Sequence, residues 1–190
     1  MVTAPTTEPL STEARVPIKL LLGSRFPDAR LTESLIEDYF RTVHWFSLVI
    51  CEPKLRRCLA SIEDGYAYKY QTPFLVLLSM MLCMAAWYRS KPCQQNNGTY
   101  WALWSSDLLG IVESRLAELM DGHSIETAQT CILLGSHHVY HGQPNKSFAL
   151  LGATIKICQS LGIHKRTTEG DSLDIEEHKR VWWTVYTWDR

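Results

Sequence analysis

The chain has 190 residues, of which 46% are apolar and 11% aromatic, and this is enough to fill the core of one globular domain. Its 19 basic and 20 acidic side chains nearly balance, and no five or six like charges run together. The composition therefore lacks the basic footprint of a protein that binds nucleic acid phosphates directly.

The cysteines of the chain do not suggest a zinc site, because no two of the six are separated by the two residues of a CxxC pair. Most of them lie inside or beside apolar runs, where free cysteine behaves as a small hydrophobic side chain in a reducing compartment: Cys51, Cys83, Cys131 and Cys158. The first thirty residues lack the basic start and apolar stretch of a secretory signal.

Residues 1–30 contain four prolines among Ser, Thr and Glu residues, a composition typical of a flexible linker. We expect the folded domain to occupy residues 31–190. Thr32 can cap its first helix, in which apolar residues recur at the three-to-four spacing of one helical face as far as about Ile50. A short helix should follow from Pro53, since proline suits the first helical turn.

The longest apolar run, over residues 74–88, follows Pro73 and predicts a helix that ends near Ser90. The run is shorter than the roughly 20 residues needed to cross a bilayer, which favours a buried core helix. Pro92 blocks its continuation, and the polar residues 93–99 predict a loop. A second long helix is expected over residues 101–120.

The next two predicted helices form a pair joined by a short turn. Ser124 can cap the first of them, and Gly142 with Pro144 closes it. Asn145 can cap the second, and Gly162 fits its left-handed stop.

A final helix should start at Ser172 or Asp174, with Glu176 and Arg180 paired four residues apart. Its buried side should hold four apolar residues: Val181, Trp182, Val185 and Trp188. No strand-like alternation is long enough to predict a sheet. The fold class predicted is therefore all-α, with stacked antiparallel helical hairpins. Because the last helix has no stop at Arg190, we expect the fold to be incomplete at the C-terminus.

Three histidines lie close together on one predicted helix: His141 follows His137 by four residues and His138 by three. This is the spacing that a helical metal site uses. The glutamate of the metalloprotease motif is missing, and solvated or hydrogen-bonded histidines at a helix end are the interpretation that we prefer.

Two basic pairs, Lys165 with Arg166 and Lys179 with Arg180, could contact phosphates. The acidic residues between them predict a solvated, self-neutralising face instead: Glu169, Asp171, Asp174, Glu176 and Glu177.

Four aromatic residues near the end of the chain could stack on bases or on a planar effector: Trp182, Trp183, Tyr186 and Trp188. At helical spacing such rings more often anchor a core, which is what we expect here. The chain contains no GxSxG elbow and no phosphate-binding glycine loop. We therefore assign no catalytic, cofactor-binding, metal-binding or DNA-contacting residue and expect no enzymatic activity.

Three stretches of the chain resemble a known family, in the family's order. The first is an opening helix with an aromatic turn: Tyr39, Phe40, Val43, His44, Phe46, Glu52 and Pro53. The second is the helix start Ser124, Ile125, Glu126, Thr127, Ala128 and Gln129, with Leu133, Leu134, Tyr140 and Gly142. The third comprises Gly152, Ala153, Ile157, Cys158, Gln159, residues 161–165, Glu177, Lys179, Arg180, Trp182, Trp183, Tyr186, Asp189 and Arg190.

Together these residues resemble the fungal-specific transcription factor domain, the middle homology region of fungal zinc-cluster transcription factors of the xylanolytic-activator type. Trp45 stands where a proline is more usual. The resemblance covers roughly residues 32–190, and we interpret residues 31–190 as the N-terminal and central part of a truncated regulatory domain.

The resemblance implies a nuclear protein that controls DNA-templated transcription. Promoter DNA and zinc would be bound only through the family's separate N-terminal zinc cluster, which this chain lacks because no cysteine precedes Cys51. A protein partner, a homodimer or a small-molecule effector remain possible partners, and no membrane partner is expected. One alternative is a stand-alone interaction module without DNA binding. The other is a metal-dependent enzyme centred on His137, His138 and His141.

Overall fold

The computed structural model of the chain describes residues 14–23, 25–91, 98–122, 124–165 and 171–189. Nine α-helices occur within these ranges: α1 (Ile18–Leu22), α2 (Ala29–Thr42), α3 (His44–Ser47), α4 (Glu52–Ala60), α5 (Thr72–Arg89), α6 (Gly98–Asp121), α7 (Ile125–Tyr140), α8 (Pro144–Ser160) and α9 (Ser172–Trp188). A short antiparallel sheet pairs β1 (Val16–Pro17) with β2 (Tyr66–Ala67). The predicted all-α fold class is confirmed, although the sequence pattern did not predict this small sheet.

Helix α5 forms the centre of the fold. Residues 74–86 are all buried, because apolar side chains surround the whole helix rather than one face. The helix packs against α2, α6 and α7. The segment Lys69–Arg89 is long and apolar enough to span a membrane by length and composition alone. However, 72% of its 18-residue apolar stretch is buried inside the protein. This burial agrees with the prediction of a core helix.

Helices α7, α8 and α9 pack on one another and complete the core. Ser124 caps α7 as predicted, since its hydroxyl accepts a hydrogen bond from the Thr127 N–H at 3.2 Å. Gly162 takes the predicted left-handed conformation after α8, with φ of 74°. The prediction that Asn145 caps α8 is wrong. The helix begins at Pro144, two residues earlier than a cap at Asn145 would place its start, and the fixed φ and missing N–H of proline suit the first helical position.

The first long helix differs from its prediction at both ends. Helix α2 begins at Ala29, because the Asp28 carboxylate accepts a hydrogen bond from the Leu31 N–H at 2.9 Å. Thr32 is therefore an interior residue and not the cap. The helix ends at Thr42 rather than near Ile50, and Leu48, with φ of 52°, ends the short α3.

Helix α6 begins at Gly98, so the last two residues of the loop predicted over 93–99 are helical. The rest of that loop, together with Pro92, lies outside the described residues. Helix α9 begins at Ser172 as predicted, and the Asp171 carboxylate caps it.

The second half of the predicted linker is packed. Ile18 and Leu22, four residues apart on α1, are 6% and 7% exposed, and Phe26 is 8% exposed. The four-residue spacing of Ile18 and Leu22 places both on one helical face against the core. The scattered prolines obscured this helix in the sequence. The linker remains a prediction for residues 1–13, which lie outside the described residues.

Candidate functional site

The N-terminal segment closes one side of a cavity of about 610 Å³. We call this segment, residues 15–23 and 25–28, the strap. The cavity walls are mainly apolar side chains from the strap, from α4 and the turn after it, and from α5: Ile18, Phe26, Pro27, Leu59, Ile62 and Leu78. The volume lies within the roughly 300–1,000 Å³ typical of small-molecule sites.

Few polar groups reach this cavity. Thr32 lines it from α2, but its hydroxyl oxygen is buried away from the cavity surface and has no hydrogen-bond partner among the described residues. Arg56 also lines the cavity, where its guanidinium forms an ion pair with Glu33. Lys19 brings one more basic group to the rim, and Asp28 and Glu63 bring two more acidic ones. The site is thus an apolar pocket with a rim of mixed charge.

Polar contacts hold the strap to the body on both sides of α1. Arg15 donates hydrogen bonds to both carboxylate oxygens of Asp64, at 2.6 and 2.8 Å, and to the Ser61 carbonyl at 2.7 Å. At the end of α1, Arg115 donates a hydrogen bond to the Leu21 carbonyl at 2.6 Å. These contacts position the strap as a wall of the cavity.

A second polar centre lies between α4, α7 and α9, and we call it the Glu177 junction. The carboxylate of Glu177 accepts hydrogen bonds from the Cys51 N–H at 3.2 Å and the Gln129 side-chain amide at 2.9 Å, and it pairs with Lys54. Lys54 also pairs with Asp174 at 2.6 Å. Burial by itself lowers the pKa of Lys54, but its hydrogen bonds to Asp174 and Glu177 outweigh burial and raise that pKa. Lys54 therefore stays charged and joins two helices that are distant in sequence.

The rings of the three predicted histidines lie close together, but the residues differ in exposure. His137 and His138 are buried, whereas His141 is exposed. The rings of His137 and His141 stack with centroids 3.8 Å apart, and Nδ1 of His141 lies 2.7 Å from the His137 carbonyl oxygen. In the described parts of the chain, no three His, Cys, Asp or Glu side chains are grouped so as to hold a metal ion.

His137 is also the most strongly shifted histidine of this cluster for which a pKa is resolved. Burial and, to a smaller extent, the charges of His141 and His138 together lower its pKa to about 4. Folding thus favours the neutral ring, so stability is present above the unfolded-state pKa near 6.5 and is lost as pH falls toward 4.

Three of the described cysteines are buried thiols, as predicted: Cys83, Cys131 and Cys158. Burial raises the pKa of Cys83 to about 12. The prediction of a buried thiol is wrong for Cys51, which is only half-buried, and Cys58 is exposed.

Of the two basic pairs, Lys179 and Arg180 lie on α9. Arg180 donates a hydrogen bond to Glu176 at 2.9 Å, which agrees with a self-neutralising face. Arg166 lies outside the described residues.

The terminal aromatic residues separate into two groups. Trp182 and Trp188 are partly buried against the core, as predicted, and the Trp188 ring lies 5.8 Å from that of Phe46. Trp183 is 58% exposed, so the prediction of a core role is wrong for it. The reason is its position on α9, roughly opposite the face that buries Val181 and Val185.

The cavity and the Glu177 junction were both missed by sequence reasoning. The junction joins Lys54 to a residue 123 positions later, and no local pattern reports such a distance. The four-residue spacing of Ile18 and Leu22 indicates a helix inside the apparent linker. That signal could have predicted one wall of the cavity.

The comparison with known families agrees with the resemblance seen in the sequence. The family model of the fungal specific transcription factor domain matches residues 36–190. This match begins within α2 and includes the Glu177 junction, whereas the strap and Thr32 precede it. No solved structure matches the chain. Because the family match spans most of the 190 residues, the chain belongs to the fungal-specific transcription factor domain family.

Proposed function

We propose that this chain is a regulatory domain of a fungal transcription factor, that it acts in the nucleus, and that it controls transcription without catalysing a reaction. The observation that carries the proposal is the family match over residues 36–190. Promoter DNA and zinc would be bound by a separate zinc-cluster domain of the parent protein. The neutralised pair of Glu176 and Arg180 supports this division of roles, since it leaves less free positive charge on α9 for phosphates.

The domain would act by a shift between two packings of its helices. A partner or a small effector would change the balance only through different affinities for the two states. The Glu177 junction supports such a mechanism, because α9 cannot move away from α4 and α7 without separating Glu177 from Lys54 and Gln129.

A reporter assay tests this proposal. The chain is fused between a heterologous DNA-binding domain and an activation domain, and reporter output is compared with that of the two domains joined without it. We expect the inserted chain to lower or raise the output several-fold at equal protein level. Output equal to that of the fusion without the chain would refute a regulatory role. A fluorescent tag on the same fusion measures nuclear localisation.

A stand-alone interaction module is the second candidate, and an exposed aromatic surface favours it. Trp45, Phe46 and Tyr140 are 67%, 45% and 42% exposed. The Phe46 ring centroid lies 5.9 Å from that of Trp45 and 5.8 Å from that of Tyr140. Exposed aromatic groups of this kind are enriched at protein interfaces. Light scattering of the purified chain measures its oligomeric state, and Trp45→Ser should weaken any dimer. Transcript sequencing on both sides of the coding segment separates the candidates, because only the first requires an in-frame zinc cluster.

A further inference from the structure

We propose that the turn after α4, residues 61–68, is the centre of a peptide-binding site that residues 15–22 of this chain occupy in the structure. We call it the receiving turn. Its ligand is an extended segment in which an arginine is followed by apolar residues three and seven positions later, as Arg15 is followed by Ile18 and Leu22. When the strap is displaced, the site binds such a segment of another chain. Binding of this kind goes beyond the regulatory role proposed above and does not require it.

The arginine of the segment is recognised by several groups at once. Both terminal nitrogens of the Arg15 guanidinium donate to the Asp64 carboxylate, at 2.6 and 2.8 Å. One of them also donates to the carbonyls of Ser61, at 2.7 Å, and of Tyr66. The Tyr68 ring centroid lies 5.7 Å from the guanidinium carbon, within the range of a cation–π contact. These acceptors favour arginine over lysine, because its planar fork donates to several oxygens in fixed directions.

The backbone of the segment is recognised as a strand. β1 pairs antiparallel with β2, and the Ile18 N–H continues the contact by donating to the Gly65 carbonyl at 3.0 Å. When an extended peptide adds to a strand, main-chain hydrogen bonds supply affinity and side-chain seats supply specificity. Ile18 and Leu22 fill such seats at 6% and 7% exposure, whereas Leu20 between them is 73% exposed. The segment therefore has one bound face and one solvent face, as a docked peptide has.

The receiving turn keeps its shape through contacts that do not involve the strap. The Tyr66 N–H donates to the Asp64 carboxylate at 3.1 Å. The Gln71 side-chain amide donates to the Ser61 hydroxyl at 3.0 Å and accepts from the Tyr68 N–H at 2.9 Å. Departure of the strap breaks none of these bonds. The site is therefore preorganised for a segment that arrives from outside, which lowers the cost of binding.

Separate anchors, rather than continuous packing, hold the first half of the strap. The cavity of about 610 Å³ is lined both by the strap and by α4, so the two are not close-packed along it. The side chains of Arg15 and Asp64 are 31% and 54% exposed, and water weakens an exposed ion pair. Near the other end, Arg115 holds the Leu21 carbonyl. Segments with few packed contacts open locally without global unfolding, and such an opening of the strap frees the receiving turn.

The site is tested with a fluorescein-labelled synthetic peptide of residues 14–23, titrated against the full chain and followed by fluorescence anisotropy. A chain with Arg15→Ala and Ile18→Asp has a weakened strap but keeps the receiving turn unchanged. We expect this strap-weakened chain to bind one peptide with a dissociation constant of about 10–100 µM. The unchanged chain should bind it roughly tenfold more weakly or worse, because its own strap competes at a high effective concentration.

Matched peptides and one variant of the receiving turn locate the binding. A peptide with Arg15→Ala should bind roughly tenfold more weakly, the size of a lost charge-assisted contact. A peptide with Leu20→Ala should bind equally well, because that side chain is exposed. Asp64→Asn in the strap-weakened chain should weaken binding of the unchanged peptide by a factor similar to that of the arginine change. A scrambled peptide of the same composition should bind at least about tenfold more weakly, since it keeps the charge but loses the order of the seats.

Three outcomes of the titration would overturn the proposal. They are absence of saturable binding to a folded strap-weakened chain, equal affinities for the unchanged peptide and for the scrambled or Arg15→Ala peptide, and equal affinities of the peptide for both chains. The last outcome would place the peptide at another surface. Circular dichroism shows whether the strap-weakened chain is folded.

Hydrogen exchange of the unchanged chain gives a second test that needs no variant. The Ile18 amide should exchange through an opening that leaves the Met80 amide, in the buried middle of α5, protected. Equal free energies of exchange at these two amides would show that the strap leaves only when the whole domain unfolds. The receiving turn would then never be free in the folded protein, and the proposal would fail.

Discussion

The Glu177 junction can be tested by removing its carboxylate. Glu177→Ala deletes the acceptor that serves the Cys51 N–H, the Lys54 ammonium and the Gln129 amide. Its neighbour Glu176 is the matched control, because it is exposed on α9 and, among the described residues, its salt bridge is the surface pair with Arg180. The two variants remove the same group from adjacent positions of one helix.

The expected loss of stability depends on which partners each hydrogen-bond donor keeps after the Glu177 carboxylate is removed. Removing one partner of a buried ion pair costs about 3–5 kcal/mol. Lys54 keeps Asp174 at 2.6 Å, and Gln129 keeps the Val49 carbonyl at 2.7 Å. We therefore expect Glu177→Ala to lower the free energy of unfolding by about 2–4 kcal/mol. Glu176→Ala should lower it by about 0.5 kcal/mol or less.

Urea unfolding followed by circular dichroism measures both costs. With a denaturant slope of about 2 kcal/mol per molar urea, Glu177→Ala should lower the midpoint by about 1–2 M. The control should shift it by about 0.3 M or less. Equal midpoints for the two variants would show that the junction contributes no more than a surface ion pair, and the reasoning would fail.

Three other side chains give shorter tests. The free energy of unfolding should fall between pH 6.5 and 4, partly because the pKa of His137 is lowered to about 4. His137→Phe should make that fall about 2–3 kcal/mol smaller, and urea unfolding at each pH measures it. Arg89→Met should cost about 2–4 kcal/mol in urea unfolding, since it leaves the buried Asp38 without its less exposed partner. In the folded protein, iodoacetamide should modify Cys58 and spare Cys83, whose pKa of about 12 and burial keep it a protected thiol; mass spectrometry of peptides measures this.

Each of these tests has its own control. Arg41, the other partner of Asp38, is 70% exposed at its side chain, so Arg41→Ala should cost less than about 1 kcal/mol. A pH profile of His137→Phe parallel to that of the unchanged protein would show that other groups cause the acid loss. Urea-unfolded protein should be modified at Cys83, and modification of the folded chain there would contradict its burial.

Local signals in the sequence predicted the helices well wherever one residue type decides the conformation. Pro53 and Pro73 stand in the first turns of α4 and α5, and Ser124 caps α7. Where two residues about one helical turn apart could both cap a helix, the prediction failed. Asp28, and not Thr32, caps α2. Propensities rank such candidates too closely to choose between them.

The features of the candidate site depend on contacts that no local pattern contains. Thr32 has an ordinary helical position, and only the tertiary packing buries its hydroxyl without a partner among the described residues. Trp183 lies in a signature stretch of the family, but the direction in which α9 packs leaves it exposed.

The sequence by itself determined the all-helical fold class, the central buried helix α5 and membership of the fungal-specific transcription factor domain family. These depend on residue type and periodicity, which are properties of neighbouring positions. The tertiary structure decided that the strap closes a cavity and that Glu177 meets Lys54 and Gln129 between α4, α7 and α9. Both results follow from helix packing, which brings distant residues together through shape and burial that the local sequence does not encode.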